Sequence, residues 1–358
     1  AELSYTEERL TLKLKGNFSP GENDFLITLA VPFEEKTYSV DVKGSFTNLD
    51  LLLPWTGAKG RLNYLGQIQG GKSSPQISGV IDFQGTLLPF PKFAHAVTDY
   101  SGLIFVQNSK ASIRSFQGKL GGGDVQGSGE VRLGKRGFET INISCEGKNL
   151  LLSPLERTRA LADGSLRLIK DNSRFALEGN FFLHRVSWRR ELYEKFAFYS
   201  SPYYETRREP SFFEDLTLDI GLKADDNAWM ENSLGRIKGR FDLTITGNMN
   251  APIILGNIEA LAGDVYFQDR KFKILKGEVS FFNPLRVEPY LDFKGETYVK
   301  DYRVSFSLTG LVTQLKPEFN SSPPLPPEDV LALLALGEAF KRTTSLDTSA
   351  QLSTASLL

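Results

Sequence analysis

Along most of the chain, apolar and polar residues alternate one for one. "RLTLKLKG" sets Leu10, Leu12 and Leu14 on one side and Thr11, Lys13 and Lys15 on the other. "FLITLAV" does the same with Phe25, Ile27, Leu29 and Val31. The pattern returns at Tyr38, Val40 and Val42, at Ile141, Ile143 and Cys145, and at Leu216, Leu218, Ile220 and Leu222. It returns again at Phe241, Leu243 and Ile245, and at Tyr302, Val304, Phe306 and Leu308. A period of two belongs to a β-strand with one apolar face. Glycines break the runs at Gly16, Gly44, Gly85, Gly118, Gly147, Gly179, Gly247, Gly295 and Gly310, where turns or bulges are expected. The spacers are mostly short, which favours antiparallel meanders over helical crossovers. At ordinary strand lengths the pattern predicts roughly twenty strands in an all-β fold.

Helical signals are few. "LSPLERTRALAD", 152–163, reads as a short helix or as a turn between strands. The stretch 189–213 mixes aromatics with both signs of charge and no clean period; it reads as a long loop over a sheet edge, or as a lip facing a partner or membrane. The end of the chain is different in kind: "SSPPLPPEDVLALLALGEAF", 321–340. Pro326 and Pro327 suit a helix entry, and Glu328 and Asp329 suit its positive end. Val330, Leu331, Leu333, Leu334 and Leu336 then leave almost no polar face before Gly337 offers a stop. A short helix apolar all round must be buried. It is either a plug over the open end of the sheet or a docking segment for another protein or a bilayer.

No linker divides the chain into compact domains, and this sharpens the problem. Twenty strands with one greasy side present on the order of a thousand Å² or more of apolar surface, whereas soluble monomers leave about 300–600 Å² in one patch. The helices are too few to cover it. The sheet therefore closes on itself as a sandwich or barrel, or curls into a trough filled by foreign hydrocarbon. Each buried methylene is worth about 0.8 kcal/mol, so an acyl chain would be a strong ligand for such a trough.

Charge and composition exclude several classes. Forty-two basic residues balance 43 acidic ones, so no net field favours nucleic acid or an anionic membrane surface. Cys145 is the one cysteine and reads as a small core residue, so no intrachain disulfide is possible. With only His95 and His184, no histidine metal site or other cofactor is expected. "AELSYTEERL" opens without a signal peptide, no apolar run reaches about 18 residues, and the chain reads as a piece of something longer.

Two motifs invite chemistry and fail on context. "GQIQGGKS", Gly66 to Ser73, fits the phosphate-loop pattern, but alternation through Ile77, Ile81 and Phe83 follows it. A strand cannot turn a helix N-terminus towards phosphates, so a hairpin is expected. "GGGDVQGSG", 121–129, reads as a tight or bulged strand junction, and Asp225 with Asp226 as a solvated turn before Trp229. No nucleophile motif is present, and no enzyme is expected.

The block from about Leu216 to Gly337 resembles the C-terminal domain of the TamB family, the translocation and assembly module of diderm bacteria. "NSLGRIKGRFDLTITGNMNAPIILGNIEALAGDVYFQDRKFKILKGEVSFFNP", 232–284, carries it, with "EPYLDFKGETYVKDYRVSFSLTGLVTQLKPEFNSSPPLPPEDVLALLALG" at 288–337. Residues 1–213 fit more loosely, through "ISGVIDFQG" and "IRSFQGKLGGGDVQGSGEVRL". The resemblance implies an elongated curled sheet, the β-taco, with an open apolar trough and one short C-terminal helix. It divides the chain into a trough segment 1–213, a TamB segment 214–322, and a proline-rich hinge, helix and polar tail 323–358. Leu10, Leu12, Leu14, Ile27, Leu29, Leu218 and Ile220 would line the trough, as would Phe241, Leu243, Ile245, Tyr302, Val304, Phe306 and Leu308.

The family is periplasmic and anchored in the inner membrane through an N-terminal helix absent from this chain. It is thought to carry phospholipid towards the outer membrane, or to help a barrel insertase assemble β-barrel proteins and autotransporters. The implied partners are acyl chains, membranes at both ends of the full-length protein, and that insertase, which would meet Pro323, Leu325, Val330, Leu331 and Leu334. A Ser/Thr-rich tail at 343–358 stands where the family continues into amphipathic sequence.

Overall fold

Alternation becomes strand wherever it was strongest, and the strands follow one another in a single ribbon. The computed structural model describes residues 2–5, 9–18, 23–32, 37–47, 49, 57–70, 75–89, 94–134, 137–191, 215–267 and 270–336. Among them nineteen strands form one sheet. The first nine are β1 (Glu2–Tyr5), β2 (Arg9–Phe18), β3 (Asn23–Pro32), β4 (Tyr38–Phe46), β5 (Lys59–Gly70), β6 (Gln76–Pro89), β7 (Ala96–Gln107), β8 (Lys110–Leu120) and β9 (Gly123–Gly134). Next come β10 (Gly137–Leu152), β11 (Thr158–Lys170), β12 (Phe175–Trp188), β13 (Thr217–Asn232) and β14 (Gly235–Asn248). The last are β15 (Ala251–Phe267), β16 (Arg270–Phe281), β17 (Pro289–Val299), β18 (Tyr302–Leu311) and β19 (Lys316–Ser322), before helix α1 (Pro327–Leu336). The sheet is open and curled.

Neighbours in sequence are neighbours in the sheet. Every step is antiparallel except one: β12 and β13 run parallel, with Ala176 beside Thr217 and Trp188 beside Met230. A parallel step needs a return path, because β13 starts level with the start of β12, about 40 Å back at ~3.3 Å per residue. The aperiodic stretch 189–213 lies in that connection, most of it outside the described residues, as does the tail 343–358.

The structure refines three local expectations. The glycines read as turn or bulge positions divide: Gly85, Gly118, Gly147 and Gly295 stand at register shifts, whereas Gly16, Gly44 and Gly179 lie in regular stretches of β2, β4 and β12. Gly247 and Gly310 alone in that set take a positive φ. What the others supply is room. A Cβ on Gly16, Gly44, Gly85, Gly102 or Gly164 would run into the ring of its cross-strand partner, respectively Phe25, Tyr64, Tyr100, Phe83 and Phe181. The aromatic fills the space over the bare backbone where a Cβ would stand and packs the two strands together. Asp225 and Asp226 sit not in a turn but in a bulge of β13, where the register shifts between Ala224 and Ala228. The stretch 152–163 is the turn alternative, the chain re-entering the sheet at Thr158.

The other motifs resolve as hairpins. Gly66 to Gly70 of the phosphate-loop pattern belong to β5, and the next described element is a strand, β6. Gly121 and Gly122, both at positive φ, make the two-residue turn between β8 and β9.

Helix α1 closes the last end of the sheet. Glu328 and Asp329 occupy its first turn. The Pro326 carbonyl accepts from the amides of Asp329 and Val330, each at 3.0 Å. At the other end, where helix carbonyls lack partners, Arg270 Nε donates to the Leu334 carbonyl at 3.0 Å. Val330, Leu333 and Leu334 bury completely against Phe272, Phe293, Val299, Val304 and Phe306. Three such side chains removed from water stabilise the docked helix by about 1.5–3 kcal/mol each.

Candidate functional site

The side chains of directly paired residues point to the same face of a sheet, so the register traces that face from strand to strand. Leu12 stands beside Leu29, Leu29 beside Val40, Val40 beside Ile68, and Ile68 beside Ile77. On the far side of the parallel step, Phe181 pairs with Leu222 and Leu222 with Leu243. Phe241 pairs with Ile258, Ile258 with Val279, and Val279 with Leu291. The rows give one apolar surface, and the expected lining residues share it.

Their exposure differs along the sheet. Leu10, Leu12, Ile27, Leu29, Leu218, Ile220, Phe241, Leu243 and Ile245 are half-buried, and Leu14 is exposed. Neighbours on the same face shade these side chains, but among the described residues no second layer closes over them. A local cover exists where Leu49 and Ala58, between β4 and β5, pack with Val97 and Tyr100 over Phe83 and Phe116. At β18, Val304 and Phe306 lie wholly beneath α1, whereas Tyr302 and Leu308 are half-buried at its margin.

Five rings gather under the helix. Phe306 stacks on Phe319 at 4.8 Å and on Phe267 at 5.2 Å between centroids, and meets Phe293 at 5.9 Å and Phe272 at 6.0 Å. Of these, only Phe306 stood among the expected lining residues. Phe293 follows the same alternation in "YLDFKG", and Gly295 two places on marks a site where a ring needs space. Phe267 and Phe272 escaped because a hairpin interrupts their run. The expected docking residues divide: Val330 and Leu334 face inward, Leu325 is half-buried, and Pro323 and Leu331 are exposed.

The opposite face is polar and internally paired. Arg240 meets Glu259 at 2.6 Å, Lys110 meets Glu130 at 2.6 Å, and Lys271 meets Asp264 at 2.9 Å, all in reach of water. Such exposed pairs contribute little each. They set the outward face and leave the inner one hydrocarbon. Asp163 accepts from the Asn149 amide at 2.6 Å and from His184 at 2.9 Å, and these bonds, in that order, hold its carboxyl below the usual range. Burial pushes the Cys145 thiol up, as suits a packing residue and not a nucleophile.

Among the described residues no cluster of His, Cys, Asp and Glu could hold a metal ion, and no helix is long and apolar enough to cross a membrane.

No curated protein matches the chain. The family model described as the TamB C-terminal domain matches residues 114–358. The match begins within β8, well before the block at Leu216 that carries the clearest motifs, and takes in "GGGDVQGSG" but not "ISGVIDFQG". It spans the parallel step, the five-ring cluster and α1. Over more than half its length, and through the part that holds both the open and the covered stretches of the apolar face, the chain belongs to the TamB family.

Proposed function

We propose that the chain conducts phospholipid along the inner face of its sheet, as a non-enzymatic part of a periplasmic bridge between inner and outer membranes. The supporting observation is the two rows of paired apolar side chains, β2 to β6 and β12 to β14, that are largely half-buried among the described residues. A tail laid against it gains about 0.8 kcal/mol per buried methylene. Neighbouring strands present similar aliphatic contact, so a tail moving by one strand exchanges like for like and meets a low barrier.

Family membership agrees: the TamB domain is periplasmic in the envelope, and the family supports a role in outer-membrane assembly of lipid or protein. In this reading the inner-membrane anchor is an N-terminal helix outside the chain. Residues 1–213 and 214–322 form the conduit, and 323–358 its end towards a barrel insertase.

Native mass spectrometry of detergent-free protein is expected to find bound phospholipid, and photocrosslinkers at Leu243 or Ile245 to label acyl chains. Replacing both residues by Asp is expected to block lipid passage. Passage retained in a folded double variant would sink the proposal.

A second reading, an assembly chaperone for barrel proteins, is favoured by the edge of β19, which pairs only with β18 among the described residues, and by exposed Leu331. An unpaired edge can take a foreign strand. Crosslinks from Leu331 to an outer-membrane barrel protein would support it, and a silent scan there would count against it.

A further inference from the structure

The stretch beneath α1 is the same face as the open one. The row that runs from Phe241 through Ile258 and Val279 to Leu291 shares its strands with the row from Gly277 through Phe293 to Leu308, which passes under the helix edge. Nothing polar separates the two. What fills the covered stretch is one valine and two leucines, Val330, Leu333 and Leu334, laid on five phenylalanine rings. To that floor the helix is branched hydrocarbon, and a fatty tail presents the same chemistry.

The helix is also lightly tied. Among the described residues no ion pair joins it to the sheet. Its polar ties are Arg270 to the Leu334 carbonyl and, at its entry, the Leu325 amide donating to the Ser321 hydroxyl at 2.9 Å. Its other side is no better suited to water: Leu331 is 44% and Leu336 66% exposed, where a permanent cover would carry charge. Four prolines from Pro323 to Pro327 join it to β19.

We propose that α1 and a phospholipid acyl chain are alternative occupants of one slot, so that the terminal aromatic cluster is a lipid site the helix vacates. This rests on the reading of the inner face as a lipid path. In the structure the slot is closed, and a tail arriving from β14 stops near Leu291 until the helix lifts. The helix thus sets whether the path ends inside the protein or opens at its last strand.

The test uses the full chain with vesicles of phosphatidylethanolamine and phosphatidylglycerol carrying a diazirine on one acyl chain. Labelled peptides are mapped by mass spectrometry. In the native sequence, label is expected around Phe241 to Ile245 and much less around Val304 to Leu308. In Leu333→Asp the second segment is expected to gain label several-fold while the first stays constant. Equal labelling of Val304 to Leu308 in both proteins overturns the proposal. Absence of label from both segments overturns the lipid path itself, a separate failure. Hydrogen exchange on the unmodified chain guards against a variant that does not fold. The α1 amides are expected to exchange faster with unlabelled vesicles than without, and unchanged or slower exchange overturns the proposal.

Discussion

At Val304 the inner face of the sheet has no contact with solvent, whereas at Leu243, four strands earlier, the same face is half-open. Both residues sit in runs of strict alternation, both are paired on two sides, and both point the same way. The difference lies in what lies on top. A single layer of strands shades its own side chains and buries a few of them, such as Ile141, Ile169 and Leu216, but the two buried clusters form where another element is added: α1 at one end, Leu49 and Ala58 near the other. An apolar face is therefore not the same thing as a core, and the distance between the two is where a ligand can enter.

That contrast can be broken by substitution. Phe306→Ala empties the centre of the five-ring cluster and is expected to cost about 3–5 kcal/mol, read as lost hydrogen-exchange protection from β17 to α1. Phe241→Ala, on the half-open stretch, is expected to cost about half of that or less, since much of its surface was never removed from water. Equal losses would show that the two stretches are packed alike.

Glycines sharpen the picture. Gly164→Val must displace the Phe181 ring and is expected to cost about 1–3 kcal/mol by thermal or chemical unfolding. Gly66→Ala meets only the Ser78 carbonyl oxygen, at 3.5 Å, and is expected to be neutral or slightly stabilising. On the outer face Arg240→Ala removes an exposed pair with Glu259 and is expected to change stability by less than about 1 kcal/mol, less still in high salt. The smallest effect belongs to Asp163. Its carboxyl is held below the ordinary value of 3.8, so its contribution is complete above that pH and fades as pH falls through the folded-state value. Asp163→Asn is expected to flatten that acid limb in an unfolding series.

Much of this was legible in the residues. Alternation placed the strands, and it placed Leu10, Ile27, Leu243 and Val304 on one face, because side-chain direction in a strand is fixed by parity alone. The closing helix was legible too, from Pro326 to Leu336. Parity says nothing about cover, so Val304 and Leu243 looked equivalent in sequence. Glycine was legible only in part, because a turn or bulge and a bare backbone under a ring leave the same letter, and only the partner strand tells them apart. Gly85 beside Tyr100 and Gly247 at positive φ illustrate the two. The parallel step left no local trace, since direction is a property of a pair and its cause lies in a connection without period.

That step bears on how the ribbon comes together. Through β12 every ladder closes between segments adjacent in sequence, so each hairpin can form as soon as its second strand exists, at little loop-closure cost. At β13 the chain must instead bring residues some forty positions apart side by side, whereas the hairpins from β13 to β19 again close between sequence neighbours. Two fast blocks separated by one slow joining event are the expected kinetics. Trp188 and Trp229, on the two strands that meet there, are placed to report the joining as a late change in fluorescence.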